Sequence, residues 1–115
     1  MIKEISSDVF KEFLVNNKAT HKQVSINTKG VHYGYFIDAL VGVISINDTT
    51  KTRRVKGFLV SEAYQKQGIG RMLLNHVLVN KKMTAFATVK SIGLFLSAGF
   101  KVKNKLSNNI KFLVR

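Results

Sequence analysis

The sequence contains no cysteine, proline or tryptophan, and only 6 of its 115 residues are acidic. Without cysteine the chain has no disulfide and no thiolate metal ligand, which favours a reducing compartment. Its three histidines, His21, His32 and His76, lack the spacing of metal ligands, so we expect no metal site. No apolar run approaches the roughly 18 residues of a membrane helix, and the first residues include charges rather than an apolar targeting segment. We therefore expect a cytoplasmic protein without a membrane partner.

The shortage of acids leaves a large positive charge. The chain has 19 Lys and Arg residues, for a formal net charge of +13. Residues 1–60 hold nine basic and five acidic side chains, whereas residues 61–115 hold ten basic side chains and one acid, Glu62. An excess of one sign attracts partners of the other, so the C-terminal half is expected to favour anionic partners.

The length and hydrophobic content suit a single domain, residues 1–115, with one core. Apolar periodicity predicts ten elements in the order β-α-β-β-β-α-β-α-β-β. This order predicts a mixed α/β sheet with helices on its faces. The predicted segments are strand 2–5, helix 9–16, strands 31–37, 40–46 and 52–60, helix 69–82, strand 84–89, helix 91–98, and strands 100–103 and 109–114.

The predicted helices also have expected caps and core sides. Ser7 or Asp8 is the expected N-cap of helix 9–16, whose apolar side consists of Phe10, Phe13 and Leu14. In helix 69–82 the residues expected on the core side are Ile69, Met72, Leu73 and Val77, and His76 is expected to point toward that side. Gly99 is expected to end helix 91–98 in the left-handed conformation.

A polar turn with two glycines joins the strand 52–60 to the next helix. Gly68 and Gly70 allow the backbone to approach a ligand closely. The N–H groups at the start of the helix lack intrahelical partners and attract negative charge. Lys66 and Arg71 add full positive charges. The turn is therefore predicted to hold a diphosphate, although two glycines at a strand-to-helix turn also serve simply to relax the backbone.

This turn resembles the Gln/Arg-x-x-Gly-x-Gly/Ala motif of the GNAT N-acetyltransferases, which Gln65, Gly68 and Gly70 match. The preceding Val60-Ser61-Glu62-Ala63-Tyr64 resembles the Val-x-Pro-x-Tyr of the family, with glutamate in place of the usual proline. The element order is also that of the family.

A second resemblance lies in Phe95-Leu96-Ser97-Ala98-Gly99-Phe100, which is similar to the Tyr-x-x-x-Gly-Phe segment late in the GNAT domain. One helix and one strand separate it from the glycine turn, as in the family. The departure is in residues 17–30, where the family has a fuller second helix beside the acceptor site and this chain is abbreviated.

The resemblance implies a mainly antiparallel GNAT-like sheet and acetyl-CoA as cosubstrate, with transfer of the acetyl group to an amine. The pyrophosphate would bind the backbone of the glycine turn, and the pantetheine amides would bind main-chain groups at the end of the preceding strand. The implied acetyl-CoA residues are Leu59, Val60, Gln65, Lys66, Gln67, Gly68, Ile69, Gly70 and Arg71.

The groups that transfer protons are not identified by the sequence. The family often uses a tyrosine to protonate the departing thiolate, and this chain has Phe95 at that position. Glu62 is the one acid near the turn and is a candidate base, although an acid in a turn is more often simply solvated. On chemistry alone Ser91 is a candidate proton donor, for which helix capping is the competing role. Further candidates of the same kind are Tyr33, Tyr35 and Ser97.

The acceptor is the least determined part. Arg53, Arg54 and Lys56 lie on the strand that leads into the turn, where GNAT enzymes often carry carboxylates, and we treat them as candidate substrate-binding residues. Such cations favour an amine carried on an anion, such as aminoacylated tRNA or another nucleic acid, although a basic surface also serves simply to solvate the protein. Small amines, a protein N-terminus and a lysine stay open as acceptors. Two alternatives stay open: a basic nucleic-acid-binding protein without catalysis, and an inactive protein that binds CoA. A homodimer through exposed strands is a further expectation.

Overall fold

A computed structural model describes residues 1–17, 29–107 and 109–115. Within these residues, seven strands form one sheet and three α-helices lie on its faces. The strands are β1 (Ile2–Ile5), β2 (Val31–Ile37), β3 (Ala39–Asp48), β4 (Thr52–Val60), β5 (Lys82–Thr88), β6 (Lys101–Lys105) and β7 (Ile110–Val114), and the helices are α1 (Ser7–Asn16), α2 (Ile69–Val77) and α3 (Ile92–Ser97). The order along the chain is the predicted one.

The strands lie in the order β1-β2-β3-β4-β5-β7-β6. All neighbours are antiparallel except β4 and β5, which run parallel because α2 connects them. The predicted mixed, mainly antiparallel sheet is therefore confirmed. The last strand, β7, lies between β5 and β6, so β6 forms one edge of the sheet and β1 the other.

Side chains alternate between the two faces of a strand, and the two faces build two cores. On one face Phe10, Phe13 and Leu14 of α1 pack on Val43. On the other face α2 and α3 pack on a larger buried set that includes Ile44. We call these the α1 face and the α2 face. Phe10 and Leu14 have no exposed surface, so the predicted apolar stripe of α1 is confirmed.

Helix α1 begins at Ser7, two residues before the predicted start at residue 9. The Ser6 hydroxyl, rather than that of Ser7 or Asp8, accepts the hydrogen bond from the N–H of Val9 at 3.2 Å. This bond satisfies one of the helix N–H groups that have no backbone acceptor.

Helix α2 differs from the prediction in length and orientation. It ends at Val77, because Leu78 is extended, whereas the apolar pattern continued to residue 82. Met72 was expected in the core but is 40% exposed, and Leu74 is buried in its place. His76 is likewise exposed and contacts the ring of Tyr33 with centroids 4.8 Å apart. Ile69, Leu73 and Val77 are buried as predicted, so the predicted core side was wrong only at Met72 and His76.

Candidate active site

Strands β4 and β5 are paired over only part of their length. The parallel pairing runs from Thr52 opposite Lys82 to Val55 opposite Ala85. A β-bulge then places Lys56 as an extra residue, since Ile46 lies opposite Val55 and Ser45 opposite Gly57. Beyond this point β5 pairs only with β7. The end of β4 thus has an edge that no described strand covers, and its main-chain groups face a gap in the sheet.

The glycine turn lies at the end of this uncovered edge. A 3-10 turn at Glu62–Tyr64 follows β4, and the exposed residues Gln65 to Gly68 then lead into α2. Lys66 has φ of 65° and Gly68 has φ of 83°, both in the left-handed region. Positive φ values in a turn orient successive N–H groups toward one point, which makes an anion-binding concavity.

The first hydrogen bond of α2 runs from the N–H of Met72 to the carbonyl of Gly68, at 3.0 Å. The N–H groups of Ile69, Gly70 and Arg71 precede it and have no acceptor within the helix. They therefore add donors and the positive end of the helix dipole to the turn. We call residues 66–71 the cradle.

The side chain of Gln65 connects the cradle to β4. Its Nε2 donates to the carbonyl of Val60 at 3.0 Å. A carbonyl oxygen has two lone pairs, so Val60 can still accept a second donor. The side chain of Leu59 packs on the α1 core and that of Val60 on the α2 core. Because both side chains are packed in the cores, the predicted contact with the pantetheine amides would use the main-chain atoms of Leu59 and Val60.

The two glycines of the cradle have different environments. A Cβ added at Gly68 would meet no atom within 4 Å, so open space lies above it and its requirement is the positive φ. A Cβ at Gly70 would lie 2.9 Å from Cδ1 of Leu94 and 3.3 Å from Cζ of Phe58. Gly70 therefore also allows α2 to pack closely against β4 and α3, a role that the sequence motif did not indicate.

The basic side chains near the cradle fall into two groups. Lys66 and Arg71 are exposed and form no ion pair in the described part of the chain. Arg53 is fully engaged: its Nε and Nη2 each lie 2.8 Å from a carboxylate oxygen of Asp48, and its Nη1 donates to the carbonyl of Val77 at 2.9 Å. The hydrogen bond from Arg53 lowers the pKa of the Asp48 carboxyl below its usual value. Arg53 thus holds the end of α2 against the sheet.

The structure separates the three predicted substrate-binding cations. Arg53 lies on the α2 face and is neutralised by Asp48. Arg54 points to the opposite, α1 face and is exposed. Lys56 is the half-buried bulge residue beside the gap. They form no single cluster, and only Arg54 and Lys56 are available to a ligand.

Phe95 is buried, at 1% exposure, in the core beneath α3. Its ring lies 5.8 Å from that of Phe58 and 5.0 Å from that of Phe100, both edge to face. Phe58 belongs to the uncovered part of β4, so Phe95 lies one ring away from the gap. A phenyl ring at this position has no proton to donate.

The polar candidates for proton transfer have local structural contacts. Glu62 is exposed at the start of the 3-10 turn. The Ser91 hydroxyl accepts from the N–H of Thr88 at 3.1 Å, and that of Ser97 donates to the carbonyl of Leu94 at 2.8 Å. Tyr33 and Tyr35 are partly buried and pack on the α2 core. Turns, helices and cores ordinarily contain contacts of these kinds, so none of them indicates a role in proton transfer.

Sequence reasoning missed a buried histidine on the α1 face. His32 is 2% exposed and stacks on Phe10, with centroids 4.6 Å apart. Its Nδ1 lies 2.7 Å from the Ser45 hydroxyl and its Nε2 lies 2.9 Å from the Ser7 hydroxyl. Burial lowers the pKa of the His32 imidazole below its ordinary value. The sequence shows only that a polar residue occurs within an alternating strand. It does not reveal that this residue contacts Ser7 and Ser45. His32 joins α1 to the sheet and takes no part in the cradle.

Within residues 1–17, 29–107 and 109–115, no group of three or more His, Asp or Glu side chains could hold a metal ion. Over the same residues, no helix is long and apolar enough to cross a membrane. The abbreviated segment predicted at residues 17–30 lies largely outside the described part of the chain.

The parallel strands β4 and β5 part at one end, and the glycine turn and α2 connect them, as the resemblance to the GNAT family implied. A model of the acetyltransferase (GNAT) domain matches residues 2–112. The chain belongs to the GNAT acetyltransferase family. A search of curated proteins finds no match.

Solved structures show the same fold at low identity. Escherichia coli ElaA has a TM-score of 0.75 and 14% identity, covering 100% of this chain and 99% of its own. An IAA acetyltransferase from Bacillus cereus has a TM-score of 0.74 and 19% identity, covering 99% and 97%. Arabidopsis thaliana Naa50, in complex with a bisubstrate analogue that contains CoA, has a TM-score of 0.69 and 17% identity, covering 98% and 96%.

Proposed function

We propose that the protein is an N-acetyltransferase that takes its acetyl group from acetyl-CoA and transfers it to an amine. The observation that supports this most directly is the cradle, which opens beside the uncovered edge of β4. The unpaired N–H groups of Ile69, Gly70 and Arg71 suit a diphosphate. The open space above Gly68 leaves room for it.

Main-chain groups of β4 hold the reactive end of acetyl-CoA, whereas the cradle holds its diphosphate. Acetyl-CoA supplies an activated thioester, whose carbonyl oxygen gains negative charge when the amine attacks. An N–H donor fixed at the uncovered edge, between Gly57 and Val60, stabilises that charge without reorganising, an effect that can reach several kcal/mol. Leu59 and Val60 are the candidate residues for the amide groups of the pantetheine arm.

The reaction also moves protons. The amine must lose one to attack the carbonyl carbon, and the thiolate that leaves when the C–S bond breaks must gain one. Phe95 cannot supply the proton that the thiolate needs. Glu62, the candidate base for the amine, is exposed to solvent. In the proposed mechanism, water that enters through the open cradle therefore exchanges these protons. The rate then depends chiefly on how well the two substrates are positioned. We expect slow turnover.

The acceptor that fits best is an amine carried on an anion, such as RNA. Arg54 and Lys56 lie near the gap, and neither forms an ion pair among the described residues. Their charge repels a cationic amine and attracts a phosphate-bearing carrier. Arg53 does not contribute, because Asp48 already neutralises it.

The alternative is a catalytically weak or inactive protein of the same fold that binds nucleic acid or CoA. The observation that favours it is the buried, apolar environment of Phe95, at the position where the family often has a tyrosine.

Calorimetry with acetyl-CoA, followed by release of free CoA thiol in the presence of candidate amines, tests both functions. Binding together with amine-dependent thiol release supports the acetyltransferase. Binding without thiol release for any amine supports the alternative. Failure to bind acetyl-CoA contradicts the cradle assignment.

A further inference from the structure

Helix α1 covers only half of its face of the sheet. It packs on β2 and β3, and the part formed by β4, β5, β7 and β6 extends beyond it. Met83, Ala85 and Leu113 point into the α2 core, so the side chains that alternate with them point to the α1 face. We call this part of the α1 face, over which no helix of the described residues packs, the aromatic-basic face.

Strand register aligns its side chains in two rows. Arg54 of β4 lies opposite Thr84 of β5, which lies opposite Val114 of β7, which lies opposite Lys101 of β6. In the next row Phe86 of β5 lies opposite Phe112 of β7, followed by Asn104 of β6. This register places two aromatic rings beside a row that has a cation at each end.

The two rings form an accessible apolar surface. The centroids of Phe86 and Phe112 lie 5.2 Å apart with planes inclined at 47°, and Phe86 is 50% exposed. Neither ring belongs to the two buried cores. Large aromatic side chains are usually buried, so a half-exposed Phe86 beside a partly buried Phe112 is typical of a binding surface.

The charge of this face has one sign. Arg54 and Lys101 are exposed, and no acidic residue occurs in β4, β5, β6 or β7. No ion pair in the described part of the chain involves either cation. Between them, Thr84 is 5% exposed and its Oγ1 has no hydrogen-bond partner among the described residues. The face therefore combines stacking surface with unneutralised cations, whereas the Thr84 hydroxyl is buried beneath it.

We propose that the aromatic-basic face binds single-stranded nucleic acid. Unpaired bases stack on Phe86 and Phe112, because every base has a planar π surface, and phosphates lie near Arg54 and Lys101. A duplex hides its bases and cannot use the rings in this way. A second copy of this chain fits poorly, because it would bring these cations against their equivalents.

The position of the face connects it to acetyl transfer. Phe86 directly follows Ala85, the last residue of β5 paired with β4, so it lies where the two strands part. A strand bound there can present an amine at the gap. This connection rests on the proposed function, whereas the binding itself does not.

The test is fluorescence anisotropy with a labelled oligouridylate of about ten nucleotides. This length lies within the roughly 4–16 nucleotides that one single-strand-binding OB-fold covers. The single strand is expected to bind more tightly than a duplex of equal length, with affinity that falls as salt rises. Phe86→Ala should weaken binding about tenfold or more without changing the salt slope, and Phe86→Tyr should retain it. Leu96→Ala, which removes an apolar side chain that is 47% exposed on α3, is the matched control and should have no effect.

The cations are tested separately. Arg54→Ala and Lys101→Ala should each reduce the slope of log K against log salt by about 0.7, the value for one phosphate contact on a single strand. Lys11→Ala, which removes an exposed charge on α1, should leave the slope unchanged.

Three results would overturn the proposal: no binding of the single strand at low salt, equal affinity for duplex, or wild-type affinity in a folded Phe86→Ala protein. Calorimetry of acetyl-CoA on the same samples separates the two proposals. Oligonucleotide binding without acetyl-CoA binding refutes the proposed function and leaves this inference intact, and the converse refutes this inference alone.

Discussion

Replacing Gly68 tests whether the cradle binds acetyl-CoA. Alanine at φ of 83° is disfavoured by roughly 1–2 kcal/mol, because its Cβ crowds the backbone in the left-handed region. Residues Gln65 to Gly68 are exposed, so in the free protein the loop can relax and avoid much of this strain. Ligand binding restores the strained conformation. The cost therefore lowers affinity, and 1–2 kcal/mol corresponds to roughly a 5- to 30-fold weaker Kd.

Gly99 provides a matched control. It follows α3 with φ of 94°, and a Cβ there meets only the Arg115 side chain at ordinary contact distance, 3.5 Å from its Nε. Gly99→Ala therefore introduces similar backbone strain in the connection between α3 and β6, outside the cradle. Because this connection is held between α3 and β6, the strain should lower the free energy of unfolding by about 1 kcal/mol and leave acetyl-CoA affinity unchanged.

The assay is calorimetry with acetyl-CoA, together with urea unfolding of each variant. Gly68→Val, which adds a β-branched side chain at the same position, should abolish binding. If a folded Gly68→Val protein binds acetyl-CoA within a factor of about two of the wild type, the cradle is not the binding site. If Gly99→Ala weakens binding as much as Gly68→Ala, the effect is general strain and the reasoning also fails.

Three further predictions concern the surrounding structure. Arg53→Leu should lower the free energy of unfolding by about 1–2 kcal/mol in urea, because it removes the bonds to Asp48 and to the end of α2, whereas Arg54→Leu should change it by less than about 0.5 kcal/mol. Stability should fall as the pH drops below about 6.5, since the unfolded chain takes up a proton that buried His32 resists, and His32→Gln should remove that part of the pH dependence. Phe95→Tyr should retain acetyl-CoA binding and raise the rate of thiol release if the proton-donor position is vacant.

Each of these has a contradicting result. Equal losses in the Arg53 and Arg54 variants would show that the ion pair with Asp48 does not hold α2. An unchanged pH dependence in His32→Gln would assign the loss of stability to other groups. A lower rate in a folded Phe95→Tyr protein would show that the phenyl ring itself shapes the site.

Much of the fold was predictable because its determinants are local. Strand alternation and helical periodicity gave the ten elements in their correct order, and β1, β2 and β4 have the predicted bounds. The sequence motif placed Gly68 in the turn between β4 and α2, and the structure adds that this turn has a positive φ there. Gly99 likewise ends α3 in the left-handed region as expected.

The remaining features depend on contacts between distant parts of the chain. Helix α2 ends at Val77 although Leu78 and Val79 continue the apolar pattern, and Arg53, 24 residues earlier, binds the last carbonyl. The second role of Gly70 appears only when Phe58 and Leu94 are packed against it.

The sequence by itself determined the order of the elements, the family and the location of the cradle, because each is encoded in short segments. The tertiary structure alone decided which charges are free. Arg53 and Arg54 are neighbours in sequence, yet they lie on opposite faces, and only Arg53 meets Asp48. It also decided that β7 lies between β5 and β6, which brings Phe112 beside Phe86. Such pairings depend on which strands become neighbours in the sheet, and the alternation of side chains within one strand does not specify its neighbours.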